Sequence, residues 1–95
     1  MILLQFANAR SRAAAREWGR HGINVNAIAP FSLSEGALSA LDEQAVKGVL
    51  RGLSIRRSGD PETDIGRAAV FLAGPDSSYI TGSTLMLDGG GAFLS

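Results

Sequence analysis

Over the first nineteen residues polar positions recur every three or four. Gln5, Asn8, Arg12 and Arg16 form one stripe. Leu3, Ala7, Ala14 and Trp18 fall on another side, as do Ile2, Phe6, Ala9 and Ala13. The spacing predicts a helix over 2–19. Its apolar face is wide enough for more than one neighbour, and Gly19 and Gly22 end it. The period then changes to two. Ile23, Val25, Ala27 and Ala29 alternate with Asn24, Asn26 and Ile28, which predicts a strand over 23–29. Pro30 stops it, because proline has no N–H for a sheet ladder. A loop over 31–36 follows.

Leu38, Leu41, Ala45 and Val49, flanked by Val46, Leu50 and Leu53, mark a helical stripe over 37–53. Gly48 and Gly52 weaken it by roughly 1 kcal/mol each relative to alanine, so a broken or mobile helix is expected. Asp60-Pro61-Glu62 is a helix start: Asp60 can cap free N–H groups and Pro61 suits the first helical position. Glu62 and Asp64 oppose the positive end of the helix dipole. Ile65, Ala68, Ala69 and Leu72 form the face to be buried, and Gly74-Pro75 closes the helix. A loop over 76–82 leads to a strand over 83–87 and the turn Asp88-Gly89-Gly90-Gly91. The expected order is helix, strand, helix, helix, strand. Two strands separated by helices imply a parallel pair with a right-handed crossover.

The composition adds mainly exclusions. Ninety-five residues suit one domain, 45% hydrophobic and 19% charged, with a net charge of +0. No basic excess marks a nucleic-acid or membrane surface. No apolar run approaches the ~20 residues of a membrane span. The opening Met1–Phe6 segment is too short, and lacks the leading basic residue, for a secretory signal. There is no cysteine, so neither a disulfide nor a thiolate metal site can form. A cytoplasmic protein is expected.

Three segments together resemble the short-chain dehydrogenase/reductase family. Ala15-Arg16-Glu17-Trp18-Gly19 through His21-Gly22-Ile23-Asn24-Val25-Asn26-Ala27-Ile28-Ala29-Pro30 is similar to that family's sixth strand and the helix before it. Gly59-Asp60-Pro61-Glu62 leads to Ala69-Val70-Phe71-Leu72-Ala73. Ser78-Tyr79-Ile80-Thr81-Gly82 and Leu87-Asp88-Gly89-Gly90 look like the last strand and its exit. The resemblance implies an α/β fold, the C-terminal fragment of a doubly wound, Rossmann-like parallel sheet. It also implies an NAD- or NADP-linked interconversion of alcohols and carbonyls. It begins only at the helix that carries the family's catalytic Tyr and Lys, so the first five strands and the glycine-rich phosphate loop have no counterpart here.

The candidate chemistry is correspondingly thin. The family's acid is a Tyr with a Lys four residues on. The only tyrosine is Tyr79, with Ser83 four residues later, and the only lysine is Lys47. No catalytic residue is therefore assigned. Gly89 and Gly91 have the opening spacing of a dinucleotide fingerprint, but Leu94 stands at the third position, and a turn is the better reading. The lone His21 is expected on the surface, and the Ser77-Ser78 pair in a loop with no base beside it. No metal ligands are assigned. One cofactor segment remains. The resemblance places the loop Pro30, Phe31, Ser32, Leu33 and Ser34 against the nicotinamide carboxamide. Phe31 stands where the family has Gly, and Glu35 where it often has Thr.

These expectations describe one domain over 1–95, the C-terminal portion of an oxidoreductase, truncated and inactive alone and binding little or no NAD(P). The alternative is a self-associating module or one half of a split enzyme. The expected partners are further copies, meeting through helix 2–19 and the unit 61–88, or a chain carrying the missing strands. The edge of strand 23–29 is expected to be bare, which would leave an isolated monomer without a stable fold.

Overall fold

The computed structural model describes residues 2–4, 9–33 and 35–91. Its centre is a parallel sheet of three strands in the order β1-β2-β3, with β1 Ile2–Leu4, β2 Val25–Pro30 and β3 Thr84–Leu87. Val25 pairs with Ile2 on one side, and Ala27 with Thr84 on the other. The chain is α/β, as the order of elements implies.

Two expectations about the first segment are corrected. Residues 2–4 are a strand, and the helix, α1, spans Ala9–Trp18 with a 3-10 turn over Gly19–His21 behind it. The polar-stripe positions Gln5 and Asn8, with Phe6 and Ala7, lie outside the described residues. The edge of β2 expected to be bare is paired with β1. One physical cause accounts for both differences. Ile2, Leu3 and Leu4 suit a strand as well as a helix, and the open ladder of β2 offers them hydrogen bonds that local periodicity cannot register. At the far end Gly22 adopts φ 75°, and its N–H donates to the Gly19 carbonyl.

β2 is the central strand. Val25, Asn26 and Ala27 are each 1% exposed, so both faces are covered. Ala15 of α1 is buried, as are Leu53 and Leu72.

The helical stripe over 37–53, expected to be broken or mobile, is broken into two helices, α2 Glu35–Ala40 and α3 Glu43–Arg51. The break falls at Leu41-Asp42 and not at Gly48, which stays inside α3. Asp42 takes an extended conformation, and its Oδ1 accepts the Ala45 N–H at 2.7 Å. The cap, more than glycine propensity, sets the boundary.

The next helix opens at Pro61 as expected. Its first stretch, Pro61–Gly66, is wound as a π-helix, with the Arg67 N–H reaching the Glu62 carbonyl, before α4 continues over Arg67–Ala73. Asp60 Oδ2 accepts from the N–H groups of Glu62 at 3.0 Å and Thr63 at 2.7 Å, and from the Thr63 hydroxyl. These bonds, the Thr63 N–H foremost, lower the Asp60 pKa. At the other end the buried Ser77 hydroxyl donates to the Leu72 carbonyl at 2.9 Å, which satisfies an orphan of the last turn.

The loop before β3 is fastened by the asparagines of β2 and the residue before it. Asn26 Nδ2 donates to the Ile80 carbonyl at 2.9 Å, and its Oδ1 accepts the Ser83 N–H at 3.1 Å. Asn24 Nδ2 donates to the Ser78 carbonyl at 3.0 Å. The Val25 N–H donates to the Thr81 hydroxyl at 3.0 Å. The polar half of the strand's alternation is therefore spent inside the protein, holding β3 in register.

Candidate functional site

Ligands of open parallel sheets collect outside the carboxyl ends of the strands. Here those ends are Pro30 of β2 and Leu87 of β3, and the loop after Pro30 has a fixed course. The Phe31 N–H donates to the Leu87 carbonyl at 2.9 Å. The Ser32 hydroxyl donates to the Gly59 carbonyl, and the Leu33 N–H donates to the Ser58 hydroxyl at 2.7 Å. Ser34 lies outside the described residues. Pro30 is the last residue of β2.

Gly59 is needed for this contact. A Cβ there would lie 2.8 Å from the Phe31 carbonyl oxygen. Beyond β3 the chain turns through Gly89 and Gly90, at φ 62° and 79°. The turn is pinned by the Ile55 N–H donating to the Gly89 carbonyl at 2.8 Å. A Cβ on Gly90 would lie 2.8 Å from Ser54 Cβ.

Between these segments lies a cavity of about 280 Å³. Phe31, Ile55, Met86 and Leu87 form its apolar wall, and Arg57, Asp64 and Asp88 its polar one. Arg57 grips Asp64 with both terminal nitrogens, Nη2 donating to Oδ1 at 3.1 Å. Asp64 also accepts the Asp60 N–H at 2.7 Å. Hydrogen bonding from Arg57 is the main reason the Asp64 carboxyl is held down to about 2, and the Asp60 N–H adds to it. The same pair raises the Arg57 pKa. Asp88 is buried, and its Oδ1 accepts the Gly90 N–H at 3.1 Å. The wall thus offers an apolar surface and an ion pair that largely neutralises itself. It contains no nucleophile with a base beside it.

Tyr79 is fully exposed in the loop before β3, at the opposite end of the sheet. Lys47 is on α3, paired with Glu43 at 3.2 Å. The two do not meet. His21 is exposed in the 3-10 turn, and Ser77 is the buried helix cap already described. Among the described residues no group of three potential ligands could hold a metal ion, and no helix is long and apolar enough to cross a membrane.

A family model described as Enoyl-(Acyl carrier protein) reductase, of the short-chain dehydrogenase type, matches residues 7–92. The chain belongs to the short-chain dehydrogenase/reductase family. Relatives in this family include a 12alpha-hydroxysteroid dehydrogenase of a Clostridium species, 46% identical over 83 residues. That match covers 84% of this chain and 32% of the relative. Short-chain dehydrogenase reductase 4 of Arabidopsis thaliana is 39% identical over 88 residues, covering 83% of this chain and 28% of the relative. A 3-oxoacyl-(acyl carrier protein) reductase of Chlamydia trachomatis is 42% identical over 80 residues, covering 84% and 32%. This short-chain dehydrogenase/reductase chain spans about a third of the length of those three curated relatives.

Sequence reasoning missed Ser58 and Gly59 as partners of the loop after β2, and Arg57 as a wall of the cavity beside it. The Gly59-Asp60-Pro61 signature was legible, but only as a helix start. Nothing local says that the residues before it fold back on a loop some twenty-five positions earlier.

Proposed function

We propose that this chain is the C-terminal portion of an NAD(P)-dependent short-chain oxidoreductase that interconverts an alcohol and a carbonyl. The 95 residues form one domain that does not transfer hydride alone. The observation that carries the reading is the family match over 7–92 in a sequence with no Tyr-x-x-x-Lys. When bound, the cofactor supplies or accepts the hydride.

This chain does not fit the whole dinucleotide. Among the described residues the glycine cluster at a strand end, Gly89-Gly90, is spent on a turn held against Ser54 and Ile55. Among the described residues no glycine-rich loop opens a helix to receive a pyrophosphate. The loop 30–34 fits the nicotinamide end alone, and there the Phe31 and Leu33 N–H donors are engaged within the chain. Its role is to shape and dry the substrate side of the cavity, with Ser58 and Gly59 setting its position. Cofactor affinity then rests on residues outside this sequence, and binding by this chain alone is weak or absent.

A second reading, a self-associating module, has its own support. Val70 is 72% exposed, Phe71 43% and Leu85 37%. The Cα radius of gyration is 15.4 Å, against about 12.4 Å for a compact domain of this length. Further copies, or a chain carrying the missing strands, would cover that surface in a cytoplasmic assembly.

Purified 95-residue material is assayed for NAD(P)H oxidation with a panel of ketones, alone and with a polypeptide carrying a glycine-rich loop and a Tyr-x-x-x-Lys helix. No turnover is expected alone, since loss of the general acid by itself costs ~10²–10⁴-fold. Turnover from the chain alone that disappears on mutating one of its residues would overturn the reading.

A further inference from the structure

We propose that a second cavity, at the amino-terminal end of the sheet, binds a phosphate-type oxyanion. It has a volume of about 270 Å³ and is lined by Arg12, Ala15 and Arg16 of α1 and by Thr81 and Gly82 of the loop before β3. The loop residues bond to Val25, the first residue of β2, so the site lies at the end of the sheet opposite the cavity between Phe31 and Asp88.

Arg12 and Arg16 are one helical turn apart, so both side chains rise from the same face. Like charges at this spacing disfavour the helix unless an anion lies between them. The ion pairs among the described residues join Lys47 to Glu43 and Arg57 to Asp64, and neither Arg12 nor Arg16 has a carboxylate within that range. No acidic residue lines the cavity.

Its floor is made of small residues. Ala15 is buried, and a Cβ on Gly82, at φ +74°, would stand in ordinary contact with that of Ala15, 3.6 Å away. Thr81 supplies a third polar group. Its hydroxyl oxygen accepts the Val25 N–H at 3.0 Å, which leaves its own proton to donate. The Gly82 N–H is committed to the Val25 carbonyl at 2.7 Å, so the available donors are side chains.

Two guanidinium groups and a hydroxyl, all on exposed residues, line this one cavity. A phosphate monoester presents three terminal oxygens to them, a carboxylate only two. Guanidinium forks match phosphate oxygens pairwise and charge-assisted. The site is independent of hydride transfer, and its ligand is a small phosphorylated compound rather than the reacting alcohol or ketone.

Inorganic phosphate is titrated into the full chain, in the assembly in which it purifies, at constant ionic strength. Amide and Arg Nε resonances are followed by NMR. Saturable shifts centred on residues 12–16 and 81–82 are expected. Affinity should fall about tenfold in Arg12→Gln and in Arg16→Gln, and severalfold in Arg12→Lys, which keeps the charge and loses the fork. Arg51→Gln on α3 should leave it unchanged, and acetate should bind about tenfold more weakly than phosphate. Gln and Lys have helix propensities close to Arg, so α1 survives each change. Shifts that do not saturate, or an equal loss in Arg51→Gln, would show general charge screening and overturn the site. Unchanged affinity in both Gln variants of α1 would overturn it as well.

Discussion

At the scale of single residues the Arg57–Asp64 contact gives the most direct test. Asp64 is held to about 2, chiefly by Arg57, whereas an unfolded aspartate titrates near ~3.9. The folded value is the lower one. The ionised carboxylate therefore favours the folded arrangement above the unfolded pKa, and that preference is lost as pH falls toward 2. A carboxyl-carbon NMR titration should show Asp64 among the last groups to protonate, and Arg57→Gln should raise its midpoint. A midpoint in the ordinary range with Arg57 present would contradict the geometry. Asn26 tests the interior. It is 1% exposed with both ends of its amide bonded. Asn26→Ala would remove the partner of the half-buried Ile80 carbonyl and of the Ser83 N–H, and a typical hydrogen bond contributes about 0.5–1.5 kcal/mol. Denaturant unfolding should report a loss of about 1–3 kcal/mol for the two bonds together. A neutral result would mean that water replaces the side chain.

At the scale of elements, caps outweigh composition. Asp42 divides the segment 35–51 into α2 and α3 where two glycines inside the expected helix did not. Asp42→Ala should destabilise α3 by about 1 kcal/mol, visible as faster amide exchange over 45–48 with little change in β2. Equal exchange in both proteins would place the boundary elsewhere, in Leu41 or its surroundings. The Gly59 contact links two elements. Gly59→Ala puts a methyl group 2.8 Å from the Phe31 carbonyl oxygen. The loop after β2 must shift, and the Ser32 and Leu33 bonds to residues 58–59 should weaken first. In an assembled enzyme this should appear as a raised KM before any loss of fold. The helix start at Asp60-Pro61 was legible because capping chemistry is local. The π-wound opening of that helix was not, because propensity carries no information about how a turn is wound.

At the scale of the whole molecule the apolar core is small and the exposed apolar surface large. Ala15, Val25, Ala27, Ile28, Leu53 and Leu72 are buried, while Val70, Phe71, Tyr79 and Leu85 are not. The total accessible surface is 6608 Å², against about 5,200 Å² for a compact monomer of 9.9 kDa. Light scattering across a dilution series, with circular dichroism on the same samples, should show an oligomer that loses helicity as it dissociates. Phe71→Asp or Leu85→Asp should bring dissociation to higher concentrations. A sharp cooperative melt from a 9.9 kDa species, unchanged on dilution, would sink this expectation. The edge of β2 adds less to the argument than its sequence suggests, since β1 covers it over three residues.

The sequence alone determined the family, the α/β class, the parallel relation of the two strands read over 23–29 and 83–87, and the cap at Asp60. These follow from period, capping chemistry and motif, all of which act over a few residues. It also determined the absence of a Tyr-x-x-x-Lys, which needs no coordinates. Only the tertiary structure decided that Ile2–Leu4 joins the sheet, because the deciding hydrogen bonds belong to β2, more than twenty residues away. Only it could turn Asn26 from a polar strand position into a buried staple, and set Ser58 and Gly59 against the loop 31–33. Each of those assignments depends on which groups lie opposite one another once the chain has folded, and the order of residues does not encode that locally.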